Sequence, residues 1–222
     1  MEKINQSTID FLVKIKKNND REWFNRNRNL YDAAKSNFES FIQEVIAEIT
    51  RFDPILKGLE ATSCIFRINR DIRFSNDKSP YKAHMGAFIT RGGKKNGDKF
   101  AGYYVHIEPG ASMIAGGAYV PPAPWLSAIR EKIDREPSVL LRITRNKDFI
   151  KYFGELQGEK LKRTPRGYSP DHPQAELLKH KSYLVVNSLT DTEVTGPGLF
   201  DHVISTARAM KPLNDYLNDY EV

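Results

Sequence analysis

Two histidines and a glutamate are the first residues whose types and spacing suggest chemistry: His84, and the pair His106 and Glu108 two positions apart. An imidazole titrates near neutral pH and can give or take a proton, and a neighbouring carboxylate favours its charged form. The same three groups also make a donor set for a divalent metal with an open position. Just upstream runs "RINRDIRFSNDKSPYK", residues 67–82, with five basic and two acidic side chains. Arginine's planar fork grips phosphate or carboxylate through two parallel bonds, and lysine adds a point charge. Arg67, Arg70 and Arg73 are therefore expected to hold an anion. Lys78, Tyr81 and Lys82 would close over it, Ser75 and Ser79 would add hydroxyls, and Asp71 and Asp77 would orient the cations.

Three readings compete for these residues. The leading one is a basic pocket for a small anionic or phosphorylated ligand, with His84, His106 and Glu108 moving protons if chemistry occurs. The second is a hydrogen-bonded plug in which Asp71 and Asp77 neutralise their neighbours. The third is a metal-dependent hydrolase; no residue is assigned as a metal ligand, because spacing alone does not set the distances among two histidines and a carboxylate.

The elements that must position these groups follow from hydrophobic period. Ser7 is placed to cap a short helix with Ile9, Phe11, Leu12 and Ile15 on one side, ended by "KKNND". Asp20 then caps a longer helix, in which Trp23, Phe24, Tyr31, Ala34, Phe38, Phe41, Val45 and Ile49 form one stripe up to Asp53-Pro54. From Ala61 to Val120 the period changes to two. Thr62–Asn69 reads as a first strand, Ala83–Thr90 as a second and Ala101–Glu108 as a third, followed by "MIAGGAY". "RGGKKNGDK" is a hairpin connection, since it lacks the spacing of a phosphate loop. Side chains alternate faces along a strand, so Arg67, His84, His106 and Glu108 are expected on the less apolar side. A bulge would break that convergence.

Helical period returns after "VPPAPW" through Trp125, Leu126, Ile129, Ile133, Val139, Leu140, Ile143, Phe149 and Phe153. A polar loop follows, "GELQGEKLKRTPRGYSPDHPQ", which is a lid if it folds over the strand face. His172 and His180 are expected to be exposed in or beside it. "SYLVVNSL" is a further strand and "FDHVISTARAMKPLNDYLNDY" a closing helix. The fold class expected is α+β: one domain over residues 1–222, with an antiparallel β-meander sheet and helices packed on one face. Its parts are N-terminal helices about 7–52, the meander about 61–120, and a C-terminal helical region with one strand about 122–222.

Composition narrows the function classes. Among 222 residues, 40% hydrophobic and 28% charged, a net charge of +6 favours anionic partners, though 28 acidic residues temper it against 34 basic. No apolar run reaches the roughly 18–20 residues that span a bilayer, so no membrane role is expected. The N-terminus lacks a signal-peptide core, and the single cysteine, Cys64, has no partner for a disulfide or a zinc cluster. A cytoplasmic protein is expected, with Cys64 in the core. Phe100, Tyr103 and Tyr104 lie near basic residues, yet no RNA-binding aromatic pattern is present, so nucleic acid is not the expected partner. A non-catalytic module contacting nucleic acid or a protein is the alternative class. Oligomeric state is not readable.

"FLVKIKKNNDREWFNRNRNLYDAAK", "FRINRDIRFSNDKSPYKAHMGAFI", "GYYVHIEPGASMIAGGAY" and "KRTPRGYSPDHPQAELLKHKSY" together resemble the uncharacterised family catalogued as domain of unknown function 2461. That resemblance runs in order over nearly the whole chain. It implies one compact domain of a kind found in bacteria and fungi, and brings no activity, cofactor or catalytic residue with it.

Overall fold

The structure, a computed structural model, describes residues 3–73 and 76–220. Helix α1, Gln6–Lys17, starts one residue before Ser7, and its N-cap Asn5 makes no side-chain cap bond. The Asn5 N–H is held instead by Asn37 Oδ1 at 2.9 Å. Asp20 caps as expected, accepting from the Trp23 N–H at 2.8 Å, a contact of the kind worth about 1 kcal/mol. The long helix expected after it is two: α2, Arg21–Arg26, and α3, Arg28–Thr50. Asn27 breaks them apart by bonding its side-chain amide back to the Trp23 carbonyl at 2.9 Å, a local competitor of the helical ladder.

The strand expected at Thr62–Asn69 is not formed. Ala61–Cys64 is a single helical turn, α4. The Gln43 side chain of α3 takes the Ala61 N–H at 2.9 Å, and Ser63 Oγ bonds to the Glu60 carbonyl at 2.7 Å. Only Ile65 and Asn69 make isolated bridges, to Ala87 and Tyr81. Phe66 is 40% exposed, while Cys64 is fully buried as expected.

The meander is β1, Met85–Ile89; β2, Gly102–Ile107; and β3, Ser112–Ala118. A fourth strand, β4, Tyr183–Leu189, pairs with β3, giving an antiparallel sheet in chain order. Between β3 and β4 lie α5, Ala123–Arg135; α6, Pro137–Thr144; α7, Lys147–Phe153; and α8, Ala175–Leu178. After β4 come α9, Asp191–Thr195, and α10, Leu199–Asn218. The α+β class expected from the sequence is the one found.

Register places Ala87 opposite Val105 and Val105 opposite Ile114, so these residues share a face, and all three are buried. Helix α10 lies under that face: a Cβ at Gly116 would meet Met210 Sδ at 2.1 Å. Both outer strands have partners from their own chain over part of their length. The Phe66 N–H bonds to the Gly86 carbonyl at 2.9 Å beside β1, and Gln157 exchanges two backbone bonds with Leu184 beside β4. The opposite sheet face carries Phe88, Tyr104, Met113, Ala115, Leu184 and Val186, all half-buried, and leads to the histidines.

Candidate functional site

Gly86 pairs with His106, and Met85 with Ile107, so one further step in the register sets His84 beside Glu108. The His84 and His106 rings lie 4.4 Å apart between centroids, tilted by 37°. His106 Nε2 is 3.0 Å from Glu108 Oε2, and His84 Nδ1 is 3.8 Å from that same oxygen. On the far side of the His106 ring, Nδ1 meets the Tyr104 hydroxyl at 2.9 Å. The result is a polar chain, Tyr104–His106–Glu108–His84, along one sheet face. Gly86 makes room for it, because a Cβ there would stand 2.6 Å from the Tyr104 hydroxyl.

Burial grades along the chain. His106 is 7% exposed, whereas His84 and Glu108 reach a cleft of about 690 Å³. Burial pushes the His84 pKa down to about 4, helped by His106, Lys82 and Arg70 and opposed by Glu108. His84 is thus a neutral imidazole at pH 7, with a lone pair to offer. Burial, with Glu108 nearby, pushes the Tyr104 hydroxyl up to about 12, which keeps it protonated. Glu108 is anchored by Ser112, whose Oγ accepts from the Glu108 N–H at 3.0 Å and donates to the Glu108 carbonyl at 2.9 Å.

The cleft walls are Lys16, Asn19, Arg70, Asp71, Asp77, Ser79, Tyr81, Lys82 and Ala83. Lys16 Nζ lies 3.9 Å from Glu108 Oε1. Asn19 clamps Tyr81 by both backbone groups, donating to its carbonyl at 2.9 Å and accepting from its N–H at 3.0 Å. Arg70 Nη1 bonds to Asp77 and to Ser79 Oγ, the latter at 3.0 Å. Lys82 donates to the Arg67 carbonyl at 2.9 Å; burial, then Arg67 and Arg70, lowers its pKa.

The expected anion-binding residues therefore separate. Arg70, Asp71, Ser79, Tyr81 and Lys82 reach the cleft with Asp77, but Arg67, Arg73 and Lys78 do not line it. Arg67 is exposed and serves Lys82 through its backbone. Arg73 grips Asp71 with Nε at 2.9 Å and Nη2 at 2.6 Å, holding that carboxyl well below the usual range. Lys78 Nζ bonds to the Ile72 carbonyl at 3.0 Å. Tyr81 lines the cleft with its ring buried, stacked on Phe24 at 4.0 Å. Ser75 lies outside the described residues.

Two expectations elsewhere are corrected. His180 is 2% exposed, stacked on Tyr183 with ring centroids 5.5 Å apart, because the chain pairs Lys160 with His180 across it. His172 is partly buried, bonding to Asp134 of α5 at 3.0 Å. The polar loop meets α5 through His172 and Asp134, and none of its residues is among those that line the cleft. Sequence reasoning did not find Lys16 and Asn19. Lys16 looked like a helix stop, and nothing local joins Asn19 to Tyr81, 62 positions on. Tyr104 was within reach, since it shares parity with His106.

A family model described as conserved hypothetical protein (DUF2461) matches residues 7–216. The chain belongs to that family. No curated protein and no solved structure matches it. The DUF2461 match takes in most of α1 and α10 and the whole meander, and with them every residue of the cleft.

Proposed function

We propose that this DUF2461 chain binds a small anionic or phosphorylated ligand in the cleft between α1 and the start of β1. The observation that carries the reading is Lys82: half-buried, set near Arg67 and Arg70, and paired with a carbonyl rather than a carboxylate. A half-buried ammonium among cations is stabilised by an anion that brings counter-charge to all of them. Arg70 supports this from the same wall, because among the described residues its fork makes hydrogen bonds through Nη1 alone. Lys16 stands on the opposite wall. Arg73, Asp71 and Lys78 have a different job here, holding the loop that carries Arg70 and Asp77. The plug and the pocket are thus two parts of one segment.

Titration calorimetry with inorganic phosphate, pyrophosphate and a nucleoside monophosphate tests the reading. Saturable binding of at least one probe is expected, weakened about tenfold or more in Lys82→Ala and in Arg70→Ala, as suits charge-assisted bonds. Affinity should also fall as salt is raised. Probes that bind none of these proteins, or bind both variants as tightly as the parent, would falsify it.

A further inference from the structure

We infer that the floor of the cleft is a binding site for one divalent first-row transition-metal ion, held by His84 Nδ1, His106 Nε2 and a carboxylate oxygen of Glu108. The inference does not depend on the anion reading. The three ligand atoms all lie within 4.8 Å of one another. Donors about 2.0–2.2 Å from a shared tetrahedral ion stand about 3.4 Å apart. The separations of 3.0 Å and 3.8 Å from Glu108 Oε2 bracket that edge.

The surroundings are those of a built site. Two imidazoles with one carboxylate suit zinc, manganese or ferrous iron, and are a poor set for magnesium or calcium, which take oxygen. Three protein ligands leave at least one position for solvent or substrate, and here that side opens on the cleft. Metal-bound imidazoles are oriented by a partner on their other nitrogen, and Tyr104 does this for His106 at 2.9 Å. Its hydroxyl can donate or accept, so it serves His106 in either tautomer. Ser112 holds the Glu108 backbone in place at the strand end. His106 sits on β2, and His84 and Glu108 stand one residue beyond the paired ends of β1 and β2, so the register of these two strands brings the three together.

Calorimetry of chelator-stripped protein with zinc chloride, and the visible spectrum after cobalt(II) addition, provide the test. One equivalent of zinc should bind, and cobalt should give the ligand-field bands of a nitrogen-containing low-symmetry site. His84→Ala and Glu108→Gln should each abolish stoichiometric uptake, with metal-free melting temperatures checking that each variant is folded. Tyr104→Phe, which removes a positioning residue, should weaken zinc by about 10–100-fold while keeping the cobalt bands. Lack of a saturable equivalent in the parent, or full affinity in a folded His84→Ala, overturns the inference. Lys82→Ala separates it from the anion reading: that variant should lose phosphate and keep its zinc. Phosphate binding by stripped parent protein that takes up no zinc sinks only the metal site.

Discussion

Single residues carry the sharpest pH signature. His180 is buried, and burial is the main reason its pKa lies below the ordinary value near 6.5, with Lys160 adding to it. A depressed imidazole is neutral in the folded chain while the unfolded chain still takes up a proton. Its stabilising contribution is therefore complete above the unfolded pKa and is lost as pH falls through it towards the folded one. His180→Gln should flatten the fall in urea midpoint between pH 7 and pH 5; an equal fall in both proteins contradicts this. His84 adds the same sign to both proteins and so drops out of the comparison. What the sequence makes legible at this scale is the strand's period of two. Tyr104, His106 and Glu108 had to share a face, and the connection between β1 and β2 brought His84 to them. Lys16 and Asn19 stayed hidden, because partners far apart in the chain leave no local pattern.

Among the elements, helix and strand identities follow period wherever the stripe is long, as in α3 and α10. Short segments were decided by neighbours instead. Ala61–Cys64 alternates like a strand, yet the Gln43 amide supplies the first partner of a helical turn. Asn27 reads as one polar residue in a helix, and its side chain splits that helix in two. Such choices rest on single hydrogen bonds worth about 1 kcal/mol, less than any period rule can resolve. The sheet–helix contact gives a test at this scale. A Cβ on Gly116 would meet Met210 Sδ and, at 2.3 Å, the Gly102 carbonyl oxygen of the next strand. Shortening Met210 relieves only the first clash. Gly116→Ala should lower stability by about 1–3 kcal/mol in urea unfolding, with Met210→Ala failing to restore it. Restoration would show that α10 alone sets the fit.

For the whole molecule, the charge surplus that first suggested an anion is not concentrated in the cleft, where cations and carboxylates are equal in number. Lys16, Arg70 and Lys82 there face Asp71, Asp77 and Glu108. Net charge could not have shown this, since it sums over a surface whose ion pairs are made locally. No helix among the described residues is long and apolar enough to cross a membrane. The sheet's partners at its two sides matter more at this scale. Gln157→Pro removes the N–H that meets the Leu184 carbonyl at 2.7 Å. Light scattering of the heated variant should rise earlier than that of the parent; coincident curves would show that the pairing is dispensable. A strand edge is where one protein molecule most readily recruits another into a growing fibril, and flanking segments that already occupy the hydrogen-bonding groups blunt that recruitment. Here the chain supplies its own stoppers on both sides. A second copy would therefore meet edges whose hydrogen-bonding groups are already in part taken.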